Sequence, residues 1–175
     1  MSAMKGTRTV VQSAVLISLA LALSYVERFI PLQLIIPLPG VKLGIANVVT
    51  LVSLYLLGWK RTLPIVLIRC LLGSLFGNIT GLLFSLTGGI LAFLVMTLCK
   101  NMRLFSIYGI SVLGAAAHSV GQILAATCIM GSVYIFAYLP YLLFIGIFTG
   151  TAIGAACAGV LRALSLAGAS KFVNK

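Results

Sequence analysis

Apolar runs of roughly membrane length alternate along this chain with single or paired basic residues. From Val10 to Tyr25 only Gln12, Ser13, Ser18 and Ser24 interrupt the apolar pattern, which predicts a first helix over 10–27. Residues 28–42 cannot continue it. Pro31, Pro37 and Pro39 break helical hydrogen bonding and Gly40 adds a turn. Yet Phe29 to Pro39 is almost wholly apolar, whereas an ordinary loop is polar. Such a segment reads as a lid or re-entrant piece packed against protein, with Pro37, Pro39 and Gly40 at its end.

A second helix is predicted over 43–58, closed by the aromatic and basic edge Trp59-Lys60-Arg61. Residues 62–99 are long enough for two crossings, 62–78 and 82–99, with a turn near Asn78-Ile79-Thr80-Gly81. Lys100 and Arg103 close that pair. A fifth helix follows over 104–131. Tyr134, Tyr138, Pro140 and Tyr141 mark an interface, and a sixth helix covers 140–161 before Arg162, Lys171 and Lys175. The expected fold is an all-α integral membrane bundle of six transmembrane helices, one domain over 1–175. Lys5 and Arg8 before the first run, with Ala20-Leu21-Ala22 inside it, imitate a signal peptide. The run reaches Tyr25 without a polar region, so a retained helix is expected.

Composition agrees with this pattern. The chain is 62% apolar and 7% charged, with mean hydropathy +1.24. A soluble domain is nearer half apolar and a quarter charged. A globule of 175 residues could not hide so much apolar surface from water. A soluble enzyme, a disordered tail and a disulfide scaffold are excluded. The surrounding solvent is the lipid bilayer.

Charge adds a direction. Lys plus Arg total 12 against one acidic residue, for a net charge of +11. In a soluble chain that excess would suggest nucleic acid. Here the cations stand singly between apolar runs, so they read as topology anchors and no nucleic-acid partner is expected. Six crossings put both termini on one side. Lys5, Arg8, Lys60, Arg61, Lys100, Arg103, Arg162, Lys171 and Lys175 then share that side, which the positive-inside rule makes the cytoplasm.

The single carboxylate, Glu27, removes much chemistry. There is no carboxylate pair for general acid–base work. No Asp-rich site exists for Mg²⁺-diphosphate, and no Walker A motif for ATP. Cys70, Cys99, Cys128 and Cys157 are far apart without a CxxC, and read as small apolar residues. No catalytic residue, metal or cofactor is expected, and the chain reads as a non-enzyme.

Four ionisable residues fall outside the topology pattern: Glu27, Arg28, Lys42 and Arg69. Charges within spanning segments are costly and point first to function. Along ideal helices Lys42 stands about 27 Å from Lys60, near the outer surface, while Arg69 is only about 12 Å beyond Arg61 and is the deepest charge. Arg28 and Lys42 either snorkel to outer headgroups or serve a ligand. Glu27 either neutralises one of them or joins the site. Arg69 either reaches inner headgroups and helix carbonyls or forms the floor of an outward-opening cationic cavity, with Lys42 at its rim. A carboxylate or phosphate would match that cavity. His118 and Gln122 are four apart, on one helix face, among Ala115, Ala116, Ala117 and Gly121. They are either interhelical partners or ligand contacts. Asn47, one turn inside Lys42, is a similar case.

Small residues also recur at helical spacing. Gly146, Gly150 and Gly154 line the sixth helix, and Gly73, Gly77 and Gly81 the third and its turn. Internal packing explains both best. Ala14, Ser18 and Ala22 line one face of the first helix, where a partner membrane protein fits equally well.

Pro39-Gly40-Val41-Lys42-Leu43-Gly44-Ile45-Ala46-Asn47, together with Arg69-Cys70-Leu71-Leu72-Gly73-Ser74-Leu75, Phe84-Ser85-Leu86-Thr87-Gly88-Gly89 and the His118 segment, resembles the bacterial Gx transporter family. That family is also labelled heptaprenyl diphosphate synthase component I. It is similar in turn to the substrate-binding S components of energy-coupling factor (ECF) vitamin transporters. The resemblance implies six helices, an outward pocket, a mobile loop between helices 1 and 2, and a bacterial plasma membrane. It also implies docking of a transmembrane coupling subunit on the small face of helix 1, where Ser18 replaces an alanine. Prenyl elongation needs Asp-rich motifs around a diphosphate, which one glutamate cannot supply.

Two functions follow as expectations. In the first, the chain captures a small anionic or amphipathic molecule through Lys42, Asn47, Arg69, His118 and Gln122, and a coupling subunit with two ATPase subunits supplies the energy. Candidate ligands are a quinone or isoprenoid precursor, such as an aromatic carboxylate or prenyl diphosphate, or another vitamin-like compound. In the second, it is a non-catalytic membrane accessory subunit of isoprenoid or quinone synthesis, or of flavin-linked extracellular electron transfer. A channel fits less well, since no repeated polar rings occur.

Overall fold

A computed structural model describes residues 2–30, 42–75 and 79–166. Among them the chain is helical, with no strand. The helices are α1 (Ser2–Val26), α2 (Asn47–Leu57), α3 (Trp59–Leu75), α4 (Ile79–Met102), α5 (Ile107–Met130) and α6 (Leu139–Leu166). Short 3-10 turns occupy Glu27–Phe29 and Val133–Tyr138.

Four spans are long and apolar enough to cross a bilayer, in α1, α4, α5 and the stretch ending in α6. The others are shorter, 17 residues in α3 and 11 in α2. Large apolar side chains face outward around the bundle, among them Val11, Val15 and Leu19 on α1, Leu94 and Leu98 on α4, and Phe144 and Phe148 on α6. Water would make such a surface aggregate, whereas lipid solvates it. The chain is a multi-pass membrane protein.

Several helix ends differ from the sequence expectation, each for a local reason. α1 already begins at Ser2, because its polar first turns continue the helix ahead of the apolar span. α2 begins at Asn47 rather than residue 43, because Gly44 takes φ +79, a left-handed conformation that stops the helix from starting earlier. Trp59-Lys60-Arg61 is the first turn of α3 rather than a link before it, with Gly58 alone separating it from α2. Ile79, Thr80 and Gly81, expected in a turn, belong to α4. A helix's first turn lacks intrahelical donors' partners anyway, so poor helix formers are tolerated there. Asn78 lies outside the described residues. α5 starts after Ser106, whose hydroxyl accepts the Gly109 N–H at 3.2 Å, and stops at Gly131. Pro140 sits in the first turn of α6, where its missing N–H costs no bond. α6 then runs on to Leu166 without a breaker.

The short α2 is the hub, touching α1, α3, α4, α5 and α6. Around it pack Leu51, Leu54, Val66, Phe93, Met96, Ile110 and Cys157. A second cluster, Phe84, Ile123, Ala126, Ile135 and Leu142, joins α4, α5 and α6 near the 3-10 turn before α6. Glycines let the long helices approach closely. A Cβ on Gly150 would lie 2.7 Å from Val112 Cα, and one on Gly121 2.8 Å from Gly88 Cα. The α6 glycine stripe is therefore spent on α5. At the other end of α2, Lys100 Nζ donates to the Leu54 carbonyl at 2.8 Å and lies 4.8 Å from the Tyr55 ring centroid.

Candidate functional site

Four ionisable side chains from four parts of the chain meet at the opposite end of α2. Glu27 closes α1, Lys42 lies on the extended lead into α2, Arg69 on α3 and His118 on α5. They line a cavity of about 450 Å³, the size of a small organic ligand site. Leu21, Ala22 and Tyr25 of α1, with Ala46, Cys70 and Gly73, give it an otherwise apolar wall.

Arg69 is 7% exposed and Glu27 4%, so both charges are withdrawn from solvent. Arg69 Nη2 donates to Asn47 Oδ1 at 3.0 Å. Lys42 Nζ donates to Ser85 Oγ at 2.8 Å. The Lys42 backbone N–H donates to Gln122 Oε1 at 3.4 Å, and Gln122 Nε2 lies 3.1 Å from His118 Nε2. The five residues expected to bind a ligand thus form two hydrogen-bonded groups, Arg69 with Asn47 and Lys42 with Gln122 and His118, beside one cavity. Lys42, Arg69 and His118 stand on the cavity wall, and Asn47 and Gln122 stand behind them as positioning partners.

The imidazole is clamped. A Cβ on Gly44 would come within 2.8 Å of His118 Cδ2, and one on Gly88 within 2.7 Å of Nδ1. Only glycine at both places lets the ring lie flat between α4 and the lead into α2.

Glu27 accepts backbone N–H groups from Gly44 and, at 3.4 Å, from Ile45. It therefore fastens the end of α1 to the start of α2. Burial pushes its carboxyl above the usual value of 4.5, while the Gly44 N–H, Lys42, the Ile45 N–H and Arg69 pull it back. Ser85 and the Glu27 staple were not legible beforehand. A serine in an apolar helix ordinarily bonds its own backbone, so nothing marked Ser85 as the partner of Lys42. Cys70, read as inert packing, stands on the cavity wall with its thiol donating to the Ser85 carbonyl at 3.3 Å.

Arg69 Nε and Asn47 Nδ2 are buried without a hydrogen-bond partner among the described residues, while His118 Nδ1 lies against the Gly88 backbone. Native interiors rarely leave such groups unpaired, and two side by side leave capacity for a ligand's acceptors or for water.

The other expected elements fall in different places. Pro37, Pro39 and Gly40 of the lid lie outside the described residues, as do Gly77 and the Arg28 side chain. Ala14, Ser18 and Ala22 are exposed on α1. The Ser18 hydroxyl donates to the Ala14 carbonyl at 3.0 Å, so it presents a surface nearly as small as alanine's.

The model of the family described as heptaprenyl diphosphate synthase component I matches residues 16–160. The chain belongs to this family. The match starts inside α1 and ends inside α6, so it takes in the whole cavity. No curated protein and no solved structure matches the chain. In this chain the one carboxylate of the sequence is held by backbone N–H groups at the cavity wall.

Proposed function

We propose that this component I protein is the substrate-binding S component of an ECF-type importer, taking a small anionic or amphipathic molecule from the outer face of a bacterial plasma membrane. The observation that carries this reading is the convergence of Lys42 and Arg69, with unpaired buried polar atoms, on an apolar cavity. Cations are expensive to bury, and two facing one carboxylate are kept where a further anion repays the cost. Residues 28–42 act as the lid. The exposed Ala14, Ser18 and Ala22 face docks the transmembrane coupling subunit, and two ATPase subunits drive release. The chain is not itself the enzyme, and its termini are cytoplasmic.

Native mass spectrometry of gently purified protein tests this. A stoichiometric bound anion, lost in Arg69→Ala or Lys42→Ala at normal membrane abundance, is the expected result. Unchanged occupancy in both variants overturns the site. The family's description as a synthase component favours a second reading, a non-catalytic membrane subunit of isoprenoid or quinone synthesis or of flavin-linked electron transfer. Co-purification with a prenyl synthase or redox subunit, in place of a coupling subunit, selects that reading.

A further inference from the structure

We infer that the cavity is matched to a ligand carrying one negative charge and an apolar body, and that Glu27 is the residue that sets this number. The inference rests on the cavity being a ligand site and adds the chemical class of its occupant. Among the described residues the ionisable side chains on the wall are Tyr25, Glu27, Lys42, Arg69, Cys70 and His118. Tyrosine and cysteine are ordinarily neutral near pH 7. Residues 31–41 contain no ionisable side chain.

His118 is neutral by its bonding. The Lys42 N–H fixes Gln122 Oε1 as the acceptor end of that amide, so Gln122 Nε2 donates and His118 Nε2 accepts. An imidazolium has no acceptor nitrogen and cannot make this bond. Glu27 is taken as the ionised partner near pH 8 because two cations, Lys42 and Arg69, and two backbone donors face it and oppose the effect of its burial. Two cations against one carboxylate leave a single positive charge on the wall.

Lys42 Nζ and Arg69 Nη2 donate to uncharged acceptors, Ser85 Oγ and Asn47 Oδ1, bonds that satisfy geometry without cancelling charge. A monocarboxylate or a phosphodiester completes the balance. A phosphomonoester or diphosphate brings surplus negative charge into a withdrawn site with nothing to pair it, and unpaired buried charge is heavily penalised. Glu27 is thus a discriminator against polyanions. It lowers the total attraction for any anion, and lowers it most for the most highly charged. The apolar wall of Leu21, Ala22, Ala46 and Gly73 asks for a hydrocarbon or aromatic remainder.

The experiment uses full-length protein in phosphatidylcholine nanodiscs with three probes of one shape, 2-naphthoate, 2-naphthyl phosphate and 2-naphthamide, at about pH 8, where a phosphomonoester is dianionic. Wild type is expected to bind the carboxylate at least about tenfold more tightly than the phosphate or the amide. Glu27→Gln, which keeps an acceptor oxygen for the Gly44 and Ile45 N–H groups, is expected to turn that preference toward the phosphate. Lys42→Gln is expected to turn it toward the amide. The second variant decides alone if the first fails to fold. Binding with an unchanged order of preference in the folded variants overturns the charge rule and leaves the ligand site standing. Binding of none of the probes by wild type overturns both. Adding phosphatidylglycerol separates the sources of the monoanion: displacement of 2-naphthoate supports the charge rule with a lipid headgroup as occupant, and undiminished binding supports it with a free solute.

Discussion

Gly88 and His118 show how far one methyl group reaches at this site. Replacing Gly88 by alanine would put a Cβ 2.7 Å from His118 Nδ1 and 3.0 Å from the His118 carbonyl. The backbone carbonyl cannot swing away, so Gly88→Ala should cost about 1–3 kcal/mol. A thermal-shift assay in detergent measures it, and an unchanged midpoint would show that α4 and α5 part without penalty. Glu27 makes a pH-dependent prediction. Its folded value is raised above 4.5, so the folded chain holds that proton more tightly than the unfolded chain. The resulting stability is fully present below 4.5 and is lost as pH rises through the raised value. Lys42 and Arg69 are the cations that face it. Since Glu27 is the sole acidic side chain, only His118 and the chain termini share this range. His118, held neutral by its bonds, opposes this gain as pH falls, so the effect is read as a difference: on moderate acidification from neutrality the midpoint of wild type should rise relative to that of Glu27→Gln. A constant difference between the two would assign the response to another group.

At the scale of the helices, two contacts join neighbouring elements at defined points. Lys100 caps α2 by bonding the Leu54 carbonyl, so Lys100→Met should lower stability by about 1 kcal/mol and loosen the α2–α4 contact, read by hydrogen exchange of Leu57 and Gly58. Gly150→Ala drives a Cβ into Val112 Cα and should cost more than the same change at Gly159, where nothing lies within 4 Å. Equal midpoints for the two variants would refute the α5–α6 close approach. These elements also show what sequence could and could not reveal. The all-helical, membrane-spanning character was readable because length and basic punctuation agree, and four of the segments are long and apolar enough to cross a bilayer. Their ends were less so, since Gly44 reads as one more small residue until its positive φ is seen. Depth counted from Arg61 singled out Arg69, because a charge deep in an apolar run has few structural uses. Glu27 as a staple and Ser85 as a lysine partner were illegible, because each depends on a contact across the bundle that no local spacing encodes.

At the scale of the whole molecule, α1 stands apart. It packs mainly on α3 and α2, and its span is barely buried. If its small face receives a coupling subunit, Ala14→Leu with Ser18→Leu should abolish co-purification of that subunit while probe binding in the cavity stays within about twofold of wild type. Loss of both together would mean that the substitutions disturbed the bundle instead.

The central helix has a consequence for passage across the membrane. With 11 residues, α2 is only about 16 Å long, close to half the hydrocarbon thickness of a bilayer. The cavity lies beyond its N-terminus, beside Arg69. Toward its other end stand packed apolar side chains, Leu51, Leu54, Phe93 and Met96. If the protein does carry a solute, the described residues form a cup rather than a pipe, and the cargo would have to go round these side chains, not through them.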